Sequence, residues 1–328
     1  MNILVTGGAG YIGSVTTEML LEHGHRVIVI DDLRDGNRES VLEPAVFINE
    51  SFNDGIMLNV IFDNYDIDVV LHFAASANIS FSMTNPKAFF KNNVINGIKF
   101  LDWMLKFNCK KIIFSSSAAV YGGPKYIPIN EDHPKEPINS YGESKLMFEK
   151  ILYWYYKAYG VQSNSFRYFN AAGASKQLGE ARKEESHLLP LAIDAVLGKQ
   201  DKLLVYGNDY ETRDGTCIRD FVHVLDIARA HVLAINNLDK HPCEVYNLGS
   251  GTGYSILEVV KAVEKVTDKK VNCEFTERRQ GDPAFLVADY TKAKQDLNWQ
   301  PEYSLEQMIA STYEWQKIGK GKLLNKNR

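Results

Sequence analysis

Residues 2–13 read NILVTGGAGYIG, a short apolar segment that runs into Gly7, Gly10 and Gly13. Glycine at these positions permits a tight turn, lets the backbone approach a pyrophosphate, and lets a helix pack closely on a strand. The phosphate then lies at the N-terminus of the helix, where free amides and the helix dipole favour negative charge. The segment therefore predicts a strand, a glycine-rich turn and a helix over residues 11–23, the opening unit of a dinucleotide-binding fold.

Residues 26–30 form a second apolar segment, which ends at Asp31 and Asp32. In dinucleotide-binding folds, an acid about 20 residues after the glycine turn accepts hydrogen bonds from the adenosine ribose. Asp31 is predicted to play this part. Because a carboxylate there repels a 2′-phosphate, we expect the cofactor to be NAD rather than NADP.

Apolar segments and helical segments continue to alternate along the first half of the chain. Strands that are apolar throughout are typical of a parallel sheet covered by helices on both faces. The sequence therefore predicts an α/β fold with a doubly wound parallel Rossmann sheet in residues 1–169. Further strands are predicted at residues 68–73, 111–115 and 165–169, and further helices at residues 86–107 and 141–159.

Residues 170–328 show a looser pattern and are predicted to form a smaller mixed α/β substrate domain, with some segments returning to pack on the first domain. Residues 173–186 are polar and charged and indicate a loop. The strands are predicted at residues 202–206, 218–222 and 244–248, and the amphipathic helices at residues 256–266 and 305–316.

A candidate catalytic group follows the strand predicted at residues 111–115. Tyr141 and Lys145 have YxxxK spacing at the start of a helix, which places them on one face, one turn apart. The unperturbed phenol pKa is about 10, so a tyrosine can act as a base at neutral pH only if its pKa is lowered. The Lys145 ammonium and the positive nicotinamide ring are each expected to lower this pKa by ~1–3 units. Ser117 follows the strand end, where ligands of such sheets bind, and can hydrogen-bond the reacting oxygen.

Composition excludes several other classes of function. The net charge of −4 gives no global basic field for nucleic acid or a membrane surface. The four cysteines form no CxxC pair, so no metal site is expected. The first strand begins at Asn2, which leaves no room for a signal peptide, and no apolar run approaches the ~18 residues of a membrane span. The sequence therefore predicts a cytoplasmic protein.

The motifs together resemble the extended short-chain dehydrogenase/reductase family, and within it the NAD-dependent nucleotide-sugar 4-epimerases. The resemblance covers nearly the whole chain. It is carried by TGGAGYIG (6–13), HFAA (72–75), NNV (92–94), SSSAAVYG (115–122), SYGESK (140–145), RYFNAAGA (167–174), YGNDY (206–210), DGTCIRDFVHV (214–224), YNLGSGTG (246–253) and ERRQGDPA (277–284).

The resemblance implies a role for each matching residue. Ser117, Tyr141 and Lys145 would be catalytic. The NAD site would comprise Gly7, Gly10, Tyr11, Ile12, Gly13, Asp31, Asp32, Ser51, Phe52, Phe73, Ala74, Ala75, Asn92, Ser115, Tyr141, Lys145, Tyr168 and Phe169. The UDP-sugar would be held by Ser117, Tyr141, Asn170, Leu188, Leu204, Tyr206, Arg219, Arg279 and Asp282. The two arginines are fork-shaped donors that suit a diphosphate.

The implied reaction inverts C4 of a UDP-hexose, interconverting UDP-glucose and UDP-galactose. Tyr141 removes the proton of the 4-hydroxyl while C4 gives a hydride to a tightly held NAD. The 4-keto sugar then rotates about the anchored UDP, and the hydride returns to its opposite face. Similar epimerases dimerise through the helices predicted at residues 86–107 and 141–159. Those helices carry Phe89, Phe90, Trp103, Phe107, Trp154 and Tyr155. This is more aromatic surface than the single apolar stripe by which a helix packs on its own core requires, so a homodimer is expected.

Three positions depart from the family pattern. Ser51 lies where an acid is expected to contact the adenine, and Phe81 replaces an acid near the sugar or nicotinamide. Leu286 falls at the position that gates the sugar pocket, with a size between the bulky and the small residues found there. A 4-epimerase of another UDP-sugar, such as an N-acetylhexosamine, pentose or uronic acid, therefore stays open.

Other activities fit the residues less well. A 4,6-dehydratase needs an acid pair after Ser117, and the residues there are Ala118 and Ala119. A net oxidoreductase would have to release NADH in every turnover. A non-catalytic NAD-sensing protein would keep the glycine turn but would not need the Ser117, Tyr141 and Lys145 group.

Overall fold

The computed structural model describes residues 1–183, 185–279 and 282–319. Its first half alternates strands and helices. The strands are β1 (Asn2–Thr6), β2 (Arg26–Ile30), β3 (Val46–Ile48), β4 (Val69–His72), β5 (Lys111–Ser117), β6 (Gln162–Tyr168) and β7 (Asn170–Ala172). The helices are α1 (Tyr11–Glu22), α2 (Gly55–Asn64), α3 (Ile79–Thr84), α4 (Pro86–Phe89), α5 (Asn96–Lys106) and α6 (Ser140–Tyr159).

The second half has shorter strands. These are β8 (Leu203–Tyr206), β9 (Ile218–His223), β10 (Cys243–Leu248), β11 (Gly253–Ser255), β12 (Cys273–Thr276) and β13 (Phe285–Leu286). Its helices are α7 (Leu188–Val196), α8 (Val224–Asn237), α9 (Ile256–Thr267), α10 (Thr291–Leu297) and α11 (Leu305–Glu314).

Seven parallel strands form the central sheet, in the order β10-β6-β5-β4-β1-β2-β3. The chain proceeds outward from β1 through β2 and β3, and then in the opposite direction from β4 to β6. The strand order therefore reverses between β1 and β4, and the crevice at the carboxyl ends of these strands is where such sheets bind ligands. The predicted doubly wound parallel sheet is confirmed.

The central strands are apolar because both of their faces are covered. Ile3 and Val5 lie in one core with residues of α1 and α8, whereas Leu4 lies in a second core with residues of α2, α5 and α6. All three side chains are fully buried. Alternate residues of a strand point to opposite faces, so two helical layers require an uninterrupted apolar strand.

The second half builds a small sheet in the order β11-β9-β13, with β7 also paired to β9, and a separate pair of β8 with β12. β10 joins the central sheet beside β6, and α8 packs against α1. The second half of the chain therefore contributes both to the central sheet with its helices and to the smaller sheet. The predicted division between residues 169 and 170 stays a prediction.

Two predicted helices differ from those observed. The helix expected at residues 86–107 consists of α4, a π-helical turn over Phe90–Ile95, and α5. Asn93 lies in this turn, and its buried side chain binds both backbone polar groups of Ser76 and the hydroxyl of Ser144. A π turn often marks a place where a helix serves a site rather than simple packing. The last predicted helix ends as α11 at Glu314 and continues as a second π turn over Trp315–Gly319.

No helix in residues 1–183, 185–279 and 282–319 is both long enough and apolar enough to cross a membrane.

The contact between α5 and α6 gives a test of the packing. A Cβ atom on Gly97 would lie 2.5 Å from the ring of Phe148, which is fully buried and cannot move aside. We expect Gly97→Ala to lower the free energy of unfolding by about 1–3 kcal/mol through overpacking, reduced by the ~1 kcal/mol by which alanine favours a helix. Urea denaturation measures this change. Gly123→Ala is the matched control, because nothing lies within 4 Å of its added Cβ, and an equal loss in both variants would contradict the packing argument.

Candidate active site

The glycine turn lies at the carboxyl end of β1, against the end of β4. Gly7 has φ +73°, and a Cβ there would lie 2.5 Å from the backbone nitrogen of Ala74. A Cβ on Gly13 would lie 2.3 Å from the carbonyl oxygen of Gly7. At Gly10 an added Cβ would meet only that carbonyl oxygen, at an ordinary 3.4 Å. The fold itself therefore requires Gly7 and Gly13, whereas the space above Gly10 is open to a ligand.

The N-terminus of α1 offers backbone donors to that space. No side chain caps the helix, whose first residues are Tyr11 and Ile12. The first amides of a helix have no partner within it and, with the helix dipole, attract an anion. The hydroxyl of Tyr11 turns away and donates to the carbonyl of Gly173 at 2.6 Å. These amides fit the pyrophosphate of a dinucleotide.

Asp31 is held in place at the end of β2. Its carboxylate accepts hydrogen bonds from the amides of Ala9 at 3.0 Å and Leu33 at 2.9 Å. Burial raises the pKa of Asp31, and these two amides offset part of that effect. Asp32, in contrast, forms an ion pair with Arg34 at 2.7 Å. Of these two acids, Asp31 is thus the one whose carboxylate is held in a fixed orientation by backbone amides.

Two predicted cofactor residues after β3 take different places. The hydroxyl of Ser51 donates to the side chain of Asn53 at 2.6 Å. Phe52 is buried, and its ring meets that of His72 edge-on with centroids 5.1 Å apart. The side chain of Phe52 therefore belongs to the core, and only its backbone is left to contact a cofactor.

Other predicted cofactor residues line the neighbouring strand ends. Phe73, Ala74 and Ala75 follow β4, and the amide of Ala74 donates to Thr6 of β1 at 3.1 Å. Asn92 lies in the π turn and donates to Asn93 at 3.1 Å.

Ser115 and Tyr168 lie on β5 and β6, and Phe169 directly follows β6. The Tyr168 hydroxyl bonds to the ring of His231 at 2.9 Å. Tyr168 is therefore oriented by a buried partner that sequence analysis did not predict.

The candidate catalytic residues occupy the end of β5 and the first turns of α6. Ser117 is the last residue of β5, and Tyr141 follows the first residue of α6. The two elements approach so closely that a Cβ on Gly142 would lie 2.4 Å from the carbonyl oxygen of Ala119. The side chain of Asn139 caps α6 by accepting from the amide of Gly142 at 2.8 Å. The helix start is thus fixed beside the residues that follow Ser117.

Lys145 is directed back toward β5. Its amine is buried and donates to the carbonyl oxygen of Ser115 at 2.6 Å. Burial lowers the pKa of Lys145 to about 7, although the charge of Glu149 opposes this shift. A buried amine with such a pKa is close to titration at neutral pH.

The electrostatic state of Tyr141 differs from the sequence-based expectation. Burial raises the pKa of its hydroxyl, and a hydrogen bond from Ser117 and the charge of Arg182 offset only part of that rise. The amine of Lys145 lies 5.8 Å from the ring centroid of Tyr141. The pKa of Tyr141 is therefore raised overall in the protein alone, because desolvation of the phenolate outweighs the effects that lower it. The expected contribution of Lys145 stays a prediction, and a cation bound beside the hydroxyl would favour the phenolate further.

Arg182 was not among the predicted site residues. It lies in the segment at residues 173–186, which was predicted to be a loop and carries no motif that would have singled it out. Glu149, in contrast, had a usable signal, since it follows Lys145 by one helical turn on the same face of α6.

The second half of the chain brings together two arginine contacts. One guanidinium nitrogen of Arg219 donates to the backbone oxygen of Pro283 at 2.8 Å, and the other lies 3.6 Å from the carboxylate of Asp282. This second nitrogen, Nη2, is buried without a hydrogen-bond partner among the described residues. The guanidinium of Arg279 stacks 3.9 Å from the ring centroid of Tyr206. A buried donor without an acceptor, next to a second arginine, fits an anionic ligand.

The remaining predicted substrate residues lie on the same elements. Leu204 is on β8 and is 40% exposed, although it is apolar. Leu188 begins α7 and packs on the cluster that contains Val205 and Tyr210. The amide of Asn170 donates to the backbone of β9 at 2.7 Å. Their roles stay predictions.

One cluster in the described part of the chain has the composition of a metal site. Glu180, Glu185 and His187 bring possible ligand atoms within 4.8 Å of one another. The ring of His187 is already hydrogen-bonded to Glu185 at 2.7 Å, so two of the three groups have each other as partners. The expectation of no metal stays a prediction.

A glycine turn at the reversal point of a parallel sheet, together with a serine, a tyrosine and a lysine at the end of β5 and the start of α6, defines a dinucleotide-dependent α/β enzyme. The sequence model of the NAD dependent epimerase/dehydratase family matches residues 3–249, and the chain belongs to this family. The predicted family and the predicted cofactor, NAD, are confirmed.

Individual relatives are similar over nearly their full length. The UDP-glucose 4-epimerase of Halalkalibacterium halodurans is 45% identical, over 97% of this chain and 96% of its own. The UDP-glucose 4-epimerase of Bifidobacterium longum, solved with NAD+ and UDP, is 38% identical with a TM-score of 0.94, covering 98% of this chain and 100% of that one. The UDP-Glc/GlcNAc 4-epimerase of Campylobacter jejuni is also 38% identical, with a TM-score of 0.84 and coverage of 96% and 99%.

The open space at Gly10 gives a prediction that separates cofactor binding from folding. Gly10→Ala adds a methyl group that the protein accommodates but that projects toward the pyrophosphate. We expect its stability to change by no more than about 1 kcal/mol, while the NAD content of the purified protein falls sharply. NAD released by denaturation and the thermal midpoint measure the two effects. Gly7→Ala is the contrasting variant, since its Cβ meets backbone atoms, and it should lower the thermal midpoint as well. Full NAD content in Gly10→Ala would contradict this assignment.

Proposed function

We propose that this chain is an isomerase that inverts C4 of a UDP-hexose, interconverting UDP-glucose and UDP-galactose with retained NAD. The observation that carries the proposal is that Ser117 ends β5 and that Tyr141 and Lys145 lie in the first turns of α6, at the same edge of the parallel sheet as the glycine turn after β1. Its likeness to UDP-glucose 4-epimerases over nearly the whole chain supports the same reaction.

NAD fits the residues of the crevice. The uncapped amides of α1 suit its pyrophosphate, and the oriented carboxylate of Asp31 suits its adenosine ribose. When bound, NAD supplies the acceptor for a hydride from C4 and then the donor that returns it.

The protein residues then move and hold protons. Tyr141 takes the proton of the sugar 4-hydroxyl and later returns a proton to the same oxygen. Ser117 hydrogen-bonds that oxygen, and it already contributes a hydrogen bond that favours the phenolate. Lys145 as an ammonium stabilises the phenolate and can donate to the nicotinamide ribose.

The substrate needs one fixed end and one mobile end. Arg219, with Nη2 free to donate, and Arg279 are suited to hold the diphosphate, while Asp282 lies beside the first arginine. Leu204 and Tyr206 provide an apolar strand edge for the uracil. Inversion requires the 4-keto sugar to rotate, so the sugar itself must be held loosely.

N-acetylated UDP-sugars are a second candidate class of substrate. Leu286, at the predicted gate, is half-buried and packs on a cluster with Phe169 and Ala288. A leucine leaves more room than a bulky aromatic side chain. The similarity to a UDP-Glc/GlcNAc 4-epimerase supports this alternative.

The segment at residues 173–182 supports retention of NAD. The side chains of Tyr11 and Asn37 donate to two of its carbonyl oxygens, at 2.6 and 3.1 Å. The indole of Trp315 donates to a third at 2.8 Å. The segment is thereby tied to the start of α1, to the loop after Asp31 and to the turn after α11.

The reaction is tested by incubating the protein with UDP-galactose, UDP-N-acetylgalactosamine, UDP-arabinose and UDP-glucuronate in separate samples. Product sugars are then identified by chromatography. Conversion of UDP-galactose to UDP-glucose without added NAD is the expected result. Conversion of another sugar alone would assign the substrate to that class, and conversion of none would contradict an epimerase and favour an NAD-sensing protein.

Tyr141→Phe tests the proposed base. The variant keeps the ring but lacks the hydroxyl, so the turnover rate should fall by about 10²–10⁴-fold. Bound NAD, measured after denaturation, should equal that of the wild type. Unchanged epimerisation would refute the role of Tyr141.

We also propose a homodimer that acts in the cytoplasm. On α6, Trp154 is 66% exposed and Tyr153 46% exposed, and Ile95 of the adjoining π turn is 50% exposed. Phe89, in contrast, is fully buried and does not contribute to this surface. Large exposed apolar groups on neighbouring helices are typical of an interface.

Light scattering at micromolar concentration should give twice the 37.1 kDa mass of one chain. Trp154→Glu should shift the protein toward the monomer because it places a charge in the interface. Ile56→Glu is the matched control, since Ile56 on α2 is 81% exposed and lies outside this surface. A wild-type mass of one chain, or equal dissociation of both variants, would contradict the proposed interface.

A further inference from the structure

Glu149 lies on α6, one helical turn beyond Lys145 and on the same face. Its side chain is almost fully buried. The carboxylate accepts hydrogen bonds from Ser116 at 2.5 Å and from Arg167 at 3.0 and 2.6 Å. These contacts hold a buried carboxylate one helical turn from the candidate catalytic lysine.

The buried charges around Glu149 are unequal in number. Lys145 and Arg167 are 2% and 3% exposed, and both are cationic when protonated. Burial opposes the charge of Arg167, but Glu149 and Tyr121 outweigh it and raise its pKa, so the guanidinium stays charged. Buried charges are costly unless they are paired. The carboxylate pairs directly with Arg167 and acts on Lys145 from one helical turn away.

The other groups near Lys145 carry no compensating negative charge at neutral pH. On β4, burial lowers the pKa of His72 to about 3, so its ring is neutral. On β5, the amine meets the ring of Phe114 at 4.7 Å and the carbonyl of Ser115. On α6 and β6, burial raises the pKa values of Tyr141 and Tyr168, so both are neutral phenols.

Two further charged groups lie near the site. Arg182 adds a positive charge on the side of Tyr141. The carboxylate of Glu131 accepts from the amide of Asn247, and its backbone accepts from Arg167. Among the described residues, Glu149 is the acid whose charge acts on Lys145.

We propose that Glu149 is a positioning residue that acts as the counter-ion of Lys145 and keeps its amine in the ammonium form. The inference rests on the proposed function, because Lys145 serves that reaction only as a cation. A neutral amine would neither favour the Tyr141 phenolate nor donate the same charged hydrogen bond to a ribose. Because burial brings the amine close to titration, removal of one nearby negative charge is enough to change its state.

Glu149→Gln tests the proposal because it removes the charge and keeps the shape. The pH profile of kcat/KM should be a bell whose two limbs belong to the coupled pair of Tyr141 and Lys145. Loss of a negative charge favours the phenolate and disfavours the ammonium. Both limbs should therefore move by about 1 pH unit toward acid.

Arg167→Gln is the matched control, since it breaks the same buried ion pair from the other side. It leaves the charge of Glu149 in place and removes a cation, so both limbs should move toward alkaline pH, by about half a unit. Glu149→Asp keeps the charge and should restore the wild-type profile. A merely structural role predicts a uniform loss of activity in both Gln variants with no opposite shifts.

The titration of Lys145 can also be followed without activity. The 13Cε resonance of Lys145, assigned by its loss in Lys145→Arg, should titrate about 1 pH unit lower in Glu149→Gln than in the wild type. An unchanged midpoint, or shifts in the same direction in both Gln variants, would overturn the proposal. If Glu149→Gln fails to fold by circular dichroism, Arg167→Gln decides, and an acid shift or no shift there overturns it. A wild type with no epimerase activity would instead overturn the proposed function, and the NMR midpoints would still test the counter-ion.

Discussion

The close approach of backbone at the glycine turn is the constraint on which the rest of the structure depends. Gly7 touches the backbone of Ala74 after β4, and Gly13 touches the carbonyl of Gly7, so neither position has room for a Cβ atom. This contact draws α1 onto the sheet at the point where the strand order reverses. It leaves the amides at the helix start facing an open crevice. Steric exclusion within the protein therefore creates the anion site, and Gly10 is the glycine whose need comes from a ligand rather than from the fold.

The same kind of contact assembles the candidate catalytic group. Gly142 packs against the backbone of Ala119, which brings α6 beside the strand that ends at Ser117. Such close packing desolvates the groups it brings together. Burial lowers the pKa of Lys145 and raises that of Tyr141, so the site disfavours the charged form of both groups. The reactive pair of phenolate and ammonium is thus costly in the protein alone, and it depends on charges supplied nearby.

The sequence predicts the features that depend on local pattern. It does not predict the side-chain positions and pKa values that depend on burial by distant residues. The strands of the central sheet could be predicted because both of their faces are apolar. Leu4 and Val5 on β1, for example, are buried on opposite faces of the sheet. The spacing of Tyr141 and Lys145 also follows from one helical turn. The core position of Phe52, the π turn around Asn93 and the raised pKa of Tyr141 depend on partners distant in sequence. No local pattern encodes those contacts, and Arg182 lies in a segment without any motif.

An enzyme that recycles its cofactor must hold the dinucleotide firmly and the sugar loosely. The segment at residues 173–182 accepts hydrogen bonds from Tyr11, Asn37 and Trp315, so displacing it breaks contacts to three separate elements. On the proposed substrate side, Arg219 and Arg279 supply the guanidinium donors, and Leu286, at the predicted gate, is apolar. An apolar wall makes no directional bond to a sugar hydroxyl and so does not favour one face of the ring. Under the proposed function, a firmly held dinucleotide and a loosely held sugar are the combination that inversion at C4 requires.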